Sequence, residues 1–463
     1  MPHKVGVKQL ETKTNAIASM QTEPLSTEGF NSTNIPSLNG SLYETVNNPL
    51  IQQQRLHQIN KSILYTDQHL QQNQASQHTQ NMETYGLVRP VVCTIPKPED
   101  KMTPLDNQIA QAVAIKIWDA VVYNKLYYFF TLDVNNTSPF KTPQERLQDV
   151  VDKATMHDYQ MLMELLKIPN IDQATDLCVL ALFDVIVLVD DSSSMKTTGN
   201  MNFNGTMERT VDYEADDLND VSRWDLVSSL VNLMSFVLTL FDDDGISVRF
   251  LNKDKRYLPE DVKVDGIKSS DSVKKLFTYV KPAGGTAIGQ ALTNIYYEFL
   301  RDQLKNQTLS KPVLILTFTD GESSDNIITA VKNIRNITRQ TKYNSRSVLF
   351  SFSQVGRDPA SRKMLGILDT DDDTVNKTTG KKCEDGAGDI TDCTSAYPDE
   401  EKEYNERQKL IPLEERCPYS IGFHNVKTLV GPIIEKYDIS DEEKSVQSNL
   451  SQFAKCFNPT SWI

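Results

Sequence analysis

Four short apolar runs, Asp184 to Val189, Ile246 to Leu251, Val313 to Phe318 and Val348 to Phe352, are separated by stretches with helical periodicity. Those stretches lie near 223 to 240, 271 to 280, 288 to 305, 325 to 338 and 358 to 369. Strands joined through crossovers of that length pair in parallel, and the intervening helices cover the sheet faces. The pattern therefore predicts an α/β fold with a doubly wound, mostly parallel sheet and helices on both faces. In such sheets ligands bind beyond the carboxyl ends of the strands, so function is sought in the residues that follow each run.

The first run passes directly into Asp190-Asp191-Ser192-Ser193-Ser194-Met195. Asp190, Ser192 and Ser194 read as Asp-x-Ser-x-Ser, an alternate spacing that can aim three oxygen side chains at one point. Gly284-Gly285-Thr286 then sets a hydroxyl on a loop just before a helix, and Thr319-Asp320-Gly321-Glu322 follows the third run. Singly, each piece is an ordinary turn or helix cap. Together they occur in order, each beyond a strand of one sheet. Two carboxylates and three hydroxyls, with no nitrogen or sulfur, make a hard oxygen shell suited to Mg²⁺ or Mn²⁺. The candidate metal ligands are Asp190, Ser192, Ser194, Thr286 and Asp320.

This set resembles the metal-ion-dependent adhesion site (MIDAS) of the von Willebrand factor A (vWA) domain, a Rossmann-like fold, and is most similar to intracellular vWA proteins of fungi and protists. Arg223-Trp224, the run Asp242-Asp243-Asp244-Gly245, Phe250-Leu251-Asn252, Gln354-Val355-Gly356-Arg357-Asp358 and Gly388-Asp389-Ile390-Thr391-Asp392 extend the resemblance, which covers about 184 to 395. It implies that Ser192, Ser194 and Thr286 donate hydroxyl oxygens to the ion. It also implies that Asp190 and Asp320 act mainly through water while balancing charge. The partner it implies is a protein offering a carboxylate to the open metal position. A carboxylate meeting a partly hydrated divalent ion gains more than a neutral group would.

Two departures stand out. Ser193 occupies a position where relatives often have Gly, and Lys196 to Arg223 replaces a connection of a few residues. That insertion carries Asp212, Glu214, Asp216, Asp217 and Asp220 and reads as a loop beside the site. Asp242 to Asp244 reads as a turn before a strand rather than a second metal site.

Catalysis is not expected. A phosphoryl-transfer hydrolase of this topology needs Asp-x-Asp after the first strand, and Ser192 stands at the second position. A serine hydrolase needs a positioned base, yet His157 and His424 both lie away from strand ends, and there is no Gly-x-x-x-x-Gly-Lys loop. The 48 basic against 62 acidic residues, net −14, also argue against nucleic-acid binding.

Elsewhere, residues 1–85 read as a disordered tail, since ten of the thirty residues from Ile51 to Gln80 are Gln and bury too little to order the segment. Residues 86–101 read as a linker, 102–178 as a helical region, 179–395 as the vWA domain, and 396–463 as a charged insertion with a C-terminal helix from Ser440. Thr142-Pro143-Gln144-Glu145 is a capping box in the helical region, and the cluster Tyr127 to Phe130 reads as core. Asp371 to Lys382 and Pro398 to Glu415 read as irregular surface. The cysteines at 93, 178, 383, 393, 417 and 456 contain no Cys-x-x-Cys and are expected as reduced thiols. The longest apolar stretch considered for a membrane, Cys178 to Val189, is too short to span and contains Asp184. The expectation is a cytoplasmic, non-catalytic protein-binding module. Its alternative is a structural subunit of a large assembly, such as a viral capsid or coat component, placed in a virion.

Overall fold

The computed structural model describes residues 85–90, 104–131, 141–197, 221–369, 390–409 and 419–438. The N-terminal tail, most of the linker and of the 196–223 insertion, Asp371 to Lys382, the helix from Ser440, and the cysteines at 93, 383, 417 and 456 lie outside these residues.

Among the described residues five helices come first: α1 (Pro104–Tyr123), α2 (Tyr127–Thr131), α3 (Pro143–Thr155), α4 (Tyr159–Leu166) and α5 (Ile171–Asp176), followed by a 3-10 segment, Leu177–Leu182. The expected capping box is present on α3. Thr142 accepts from the Glu145 amide, and the Glu145 carboxylate takes the Thr142 amide in return. Val113, Ile117 and Val121 are buried on one face of α1. Phe129 stacks on Tyr343 at 5.1 Å, so the aromatic cluster of α2 is core, as its composition suggested.

The sheet follows: β1 (Asp184–Val189), α6 (Arg223–Phe241), β2 (Ser247–Phe250), α7 (Ser270–Tyr279), α8 (Ile288–Ile295), a π turn (Tyr296–Leu300), α9 (Arg301–Asn306), β3 (Val313–Thr319), α10 (Ile327–Arg339), β4 (Val348–Gln354), α11 (Pro359–Asp369) and β5 (Thr391–Thr394). Its order is β2-β1-β3-β4-β5, and every pairing between strands is parallel. Every residue of β3, β4 and β5 is buried, so helices cover both faces. The chain moves one way from β1 to β2 and the other way from β3 onward. Right-handed crossovers in opposite directions must lie on opposite faces, which makes the fold doubly wound. The reversal leaves a crevice between the carboxyl ends of β1 and β3.

α6 is the one helix among the described residues long and apolar enough to cross a membrane, longer than Cys178 to Val189. Here it is a core helix: Val227, Val231, Met234, Val237 and Leu238 are buried within the domain. The C-terminal part holds α12 (Tyr397–Gln408), α13 (Ile421–Val430) and α14 (Glu435–Asp438). α12 corrects the reading of Pro398 onward as irregular. Its polar sequence is held at its first turn, where Asp399 pairs with Arg357 at 2.6 Å and Glu400 accepts from the Ser395 amide at 2.7 Å. α13 is buried from Gly422 to Val430 and packs between α4, α5 and the strands β4 and β5. Asn425 donates to the Leu166 carbonyl at 2.9 Å, and Ser351 of β4 donates to the Thr428 carbonyl at 2.8 Å.

Candidate metal centre

Parallel register sets the site. Val189 of β1 aligns with Phe318 of β3, so Asp190 and Thr319 emerge side by side. The Asp190 amide donates to the Phe318 carbonyl at 2.9 Å, and the Thr319 hydroxyl donates to Asp190 Oδ2 at 2.6 Å. The other oxygen, Oδ1, accepts the Ser192 amide at 2.8 Å, which turns the chain sharply after the strand. Ser192 Oγ then lies 2.8 Å from Ser194 Oγ, and Ser194 donates to Asp320 Oδ1 at 2.8 Å. Asp320 Oδ2 accepts from the Arg223 guanidinium at 2.7 Å. Thr286 Oγ1 and Ser194 Oγ both face Gly321, lying 3.7 and 3.9 Å from where a side chain there would begin. Four of the five predicted residues are thus joined in one hydrogen-bonded chain, and Thr286 stands beside them.

The Thr286 loop is clamped from two sides. On one side Asp191 accepts the Asn252 and Lys253 amides at 2.7 and 2.9 Å, and Asn252 in turn donates to the Gly285 carbonyl at 2.9 Å. Gly284 adopts φ +100°, and a Cβ there would fall 2.4 Å from Asn252 Oδ1, so only glycine admits this approach. On the other side the Ser324 amide donates to the Thr286 carbonyl at 2.7 Å, while Asp325 accepts the Gly289 and Gln290 amides at the start of α8. Ser193 has a use of its own: its hydroxyl accepts from the Gly284 amide at 3.1 Å, a bond that a glycine there could not make.

Asp190, Asp191 and Asp320 are 0, 1 and 0 % exposed. Burial pushes the carboxyl groups of Asp190 and Asp191 up from the usual range, against the hydrogen bonds that hold them ionised. Among the described residues these three carboxylates share one ion pair, that of Asp320 with Arg223. Within the donor set, Asp320 is matched by Arg223, and Asp190 is the one carboxylate without an ion pair among the described residues. The donor set fits a divalent ion in kind, with oxygen alone on offer.

A second acidic group lies at the opposite, amino end of the sheet. Asp184, Asp242 and Asp244 offer oxygens within 4.8 Å of one another, an arrangement that could hold a cation. Lys311 already stands among them, 3.1, 3.2 and 3.5 Å from the three carboxylates. Burial raises the carboxyl groups of Asp184 and Asp242. Burial alone would depress Lys311, but its acidic neighbours outweigh that and hold it above its usual value.

Thr319, Asn252 and Arg223 stood in the motifs quoted from the sequence, but without a role at the site. The only available signal was position, since Thr319 and Asn252 directly follow or end strand runs and Arg223 opens a helix. Their partners lie 129, 61 and 97 residues away, beyond any local pattern.

No family model matches the chain, and no curated protein matches it. Among solved structures it is similar to one described as the crystal structure of manganese-loaded Plasmodium vivax TRAP protein. That similarity is 15 % in sequence identity with a TM-score of 0.25, and covers 48 % of this chain and 71 % of that one.

Proposed function

We propose that this protein is a non-catalytic binding module that holds a Mg²⁺- or Mn²⁺-type ion on Asp190, Ser192, Ser194, Thr286 and Asp320, and through it binds an acidic residue of a partner protein. The observation that carries this reading is the all-oxygen cluster in which Asp190, Ser192, Ser194 and Asp320 are joined by hydrogen bonds at the sheet's switch point, with Thr286 beside them. When bound, the ion supplies a positive centre to a protein whose net charge is −14. The chain's own residues do the rest. Thr319 and the Ser192 amide orient Asp190, and the Asp191–Asn252 clamp brings the Thr286 loop to the strand ends.

A non-catalytic role is supported by the placement of the two histidines among the described residues. His157 packs edge-on against Phe241 with ring centroids 4.6 Å apart. His424 is buried with Nδ1 3.0 Å from the Tyr419 hydroxyl. Neither contacts Ser192 or Ser194 to serve as a base.

Thermal unfolding of the full chain in EDTA, then with Mg²⁺, Mn²⁺ or Ca²⁺ added, tests the reading. An ion at about a hundred times its Kd adds roughly 2.7 kcal/mol, and this gain should vanish in Asp190→Ala. An unchanged melting temperature in the wild type with every ion would sink the proposal.

A further inference from the structure

The first residue of α6 is a cation, although helix N-termini favour anions. The helix start is otherwise well made. Ser222 and Asp225 form a reciprocal capping box, and buried Trp224 packs on Phe277 at 4.9 Å. The Arg223 amide donates to the Thr197 carbonyl at 3.1 Å, which ties the helix to the segment that leaves Ser194. These anchors hold the Arg223 side chain, 20 % exposed, against fully buried Asp320. Among the described residues its ion-pair partner is Asp320, 97 residues away.

Resting on the metal-binding reading above, we infer that Arg223 is a built-in counter-cation that competes with the divalent ion for Asp320 and sets the affinity of the site. Both Asp320 oxygens are engaged, Oδ1 by the Ser194 hydroxyl and Oδ2 by the guanidinium. An ion arriving at this cluster meets a carboxylate whose charge is already matched, and must share or displace that partner. Arg223 therefore does two things. It keeps Asp320 paired when no metal is bound, and it keeps metal affinity below what five oxygen ligands alone would give. It is a positioning residue that acts through Asp320.

The test is Mn²⁺ titration of the full chain, followed by the EPR signal of free Mn²⁺, for wild type, Arg223→Gln, Arg223→Lys and the double variant Arg223→Gln/Asp320→Asn. Arg223→Gln should bind about tenfold more tightly than wild type, the scale of one charge-assisted hydrogen bond. Arg223→Lys should stay near wild type, and the gain should disappear when Asp320→Asn is also present. In parallel, Arg223→Gln should melt below wild type in EDTA and recover in Mn²⁺. A merely structural arginine would lower the melting temperature in both conditions and leave affinity unmoved. If wild type binds Mn²⁺ and Arg223→Gln binds equally or more weakly, the inference falls while the metal site stands. If neither protein binds Mn²⁺, both fall. Binding by Arg223→Gln alone would support the competition, while the proposed function of the wild type would fall.

Discussion

Tyr437 donates its hydroxyl to Asp176 at 2.6 Å, joining α14 to the end of α5 across 261 residues of chain. Lys116 of α1 and Lys436 reach the same carboxylate at 2.7 and 2.6 Å. Burial alone would raise the Asp176 carboxyl, but the two lysines outweigh it and hold it below the usual range. The C-terminal segment is thus fastened to the helical region by one buried anion serving three donors.

Asp176→Asn removes that anion and leaves Lys116 and Lys436 with the more exposed Asp172, at 2.8 and 3.8 Å. Such a broken ion-pair network costs about 3–5 kcal/mol. Tyr437→Phe, which loses a single hydrogen bond, should cost about 1–2 kcal/mol. Urea denaturation at pH 7 checks both, and equal losses in the two variants would contradict the arrangement.

Buried His424 should make the protein acid-sensitive. Burial first, and nearby Lys427 second, push its pKa down from 6.5 to about 3. The unfolded chain therefore takes up a proton that the folded chain refuses, and stability falls as pH drops below 6.5 and goes on falling toward 3. Between pH 6.5 and 5 this group alone should remove about 2 kcal/mol. His424→Gln should flatten that part of the stability–pH curve. An unchanged slope would show that the imidazole titrates normally.

Gly284→Ala should loosen the Thr286 loop. The variant needs both a strained positive φ and displacement of Asn252, whose Oδ1 lies 2.4 Å from the new Cβ. The strain alone is worth about 1–3 kcal/mol. Because Asn252 also holds Asp191, the variant should weaken Mn²⁺ binding as well as stability, which calorimetric titration can read.

Lys311→Met should unmask the acidic group at the amino end of the sheet. Asp184 and Asp242 already have raised carboxyl pKa values, and without the ammonium they rise further. Their ionisation penalty is absent below the unfolded carboxylate pKa of about 4 and grows as pH rises. The variant should therefore lie about 3–5 kcal/mol below wild type at pH 7 and close most of that gap near pH 4.5. A constant deficit at both pH values would assign Lys311 a packing role only.

The parts of the fold that were legible in the sequence are those whose burial is written as apolar residues. After Asp184, β1 is all Val, Ile and Leu, and β3 opens on Val-Leu-Ile-Leu; both were placed to within a residue. β5 was not seen because Thr391-Asp392-Cys393-Thr394 carries no such run, although all four residues are buried. α12 is polar on nearly every side and shows no stripe to find. The helix expected over 288 to 305 was read as continuous, whereas Tyr296–Leu300 winds as a π turn between α8 and α9. At the candidate site, Asp190, Ser192, Ser194, Thr286 and Asp320 were legible because each follows a recognisable strand or loop signal. Arg223 was named for its neighbour Trp224 and not for Asp320, since a contact across 97 residues leaves no trace in spacing.

The margins of the sheet carry one more consequence. Outside β2, the Val248 amide donates to the Val264 carbonyl at 2.8 Å, and Ile246 pairs antiparallel with Ile267. At the far margin, β5 spans four buried residues, and the Cys393 amide donates to Asp369 at 2.9 Å. Backbone that already has partners offers no template for a strand lent by another chain. If the domain binds a partner as proposed, the contact falls to side chains carried by its loops, which can be exchanged without re-registering a single strand.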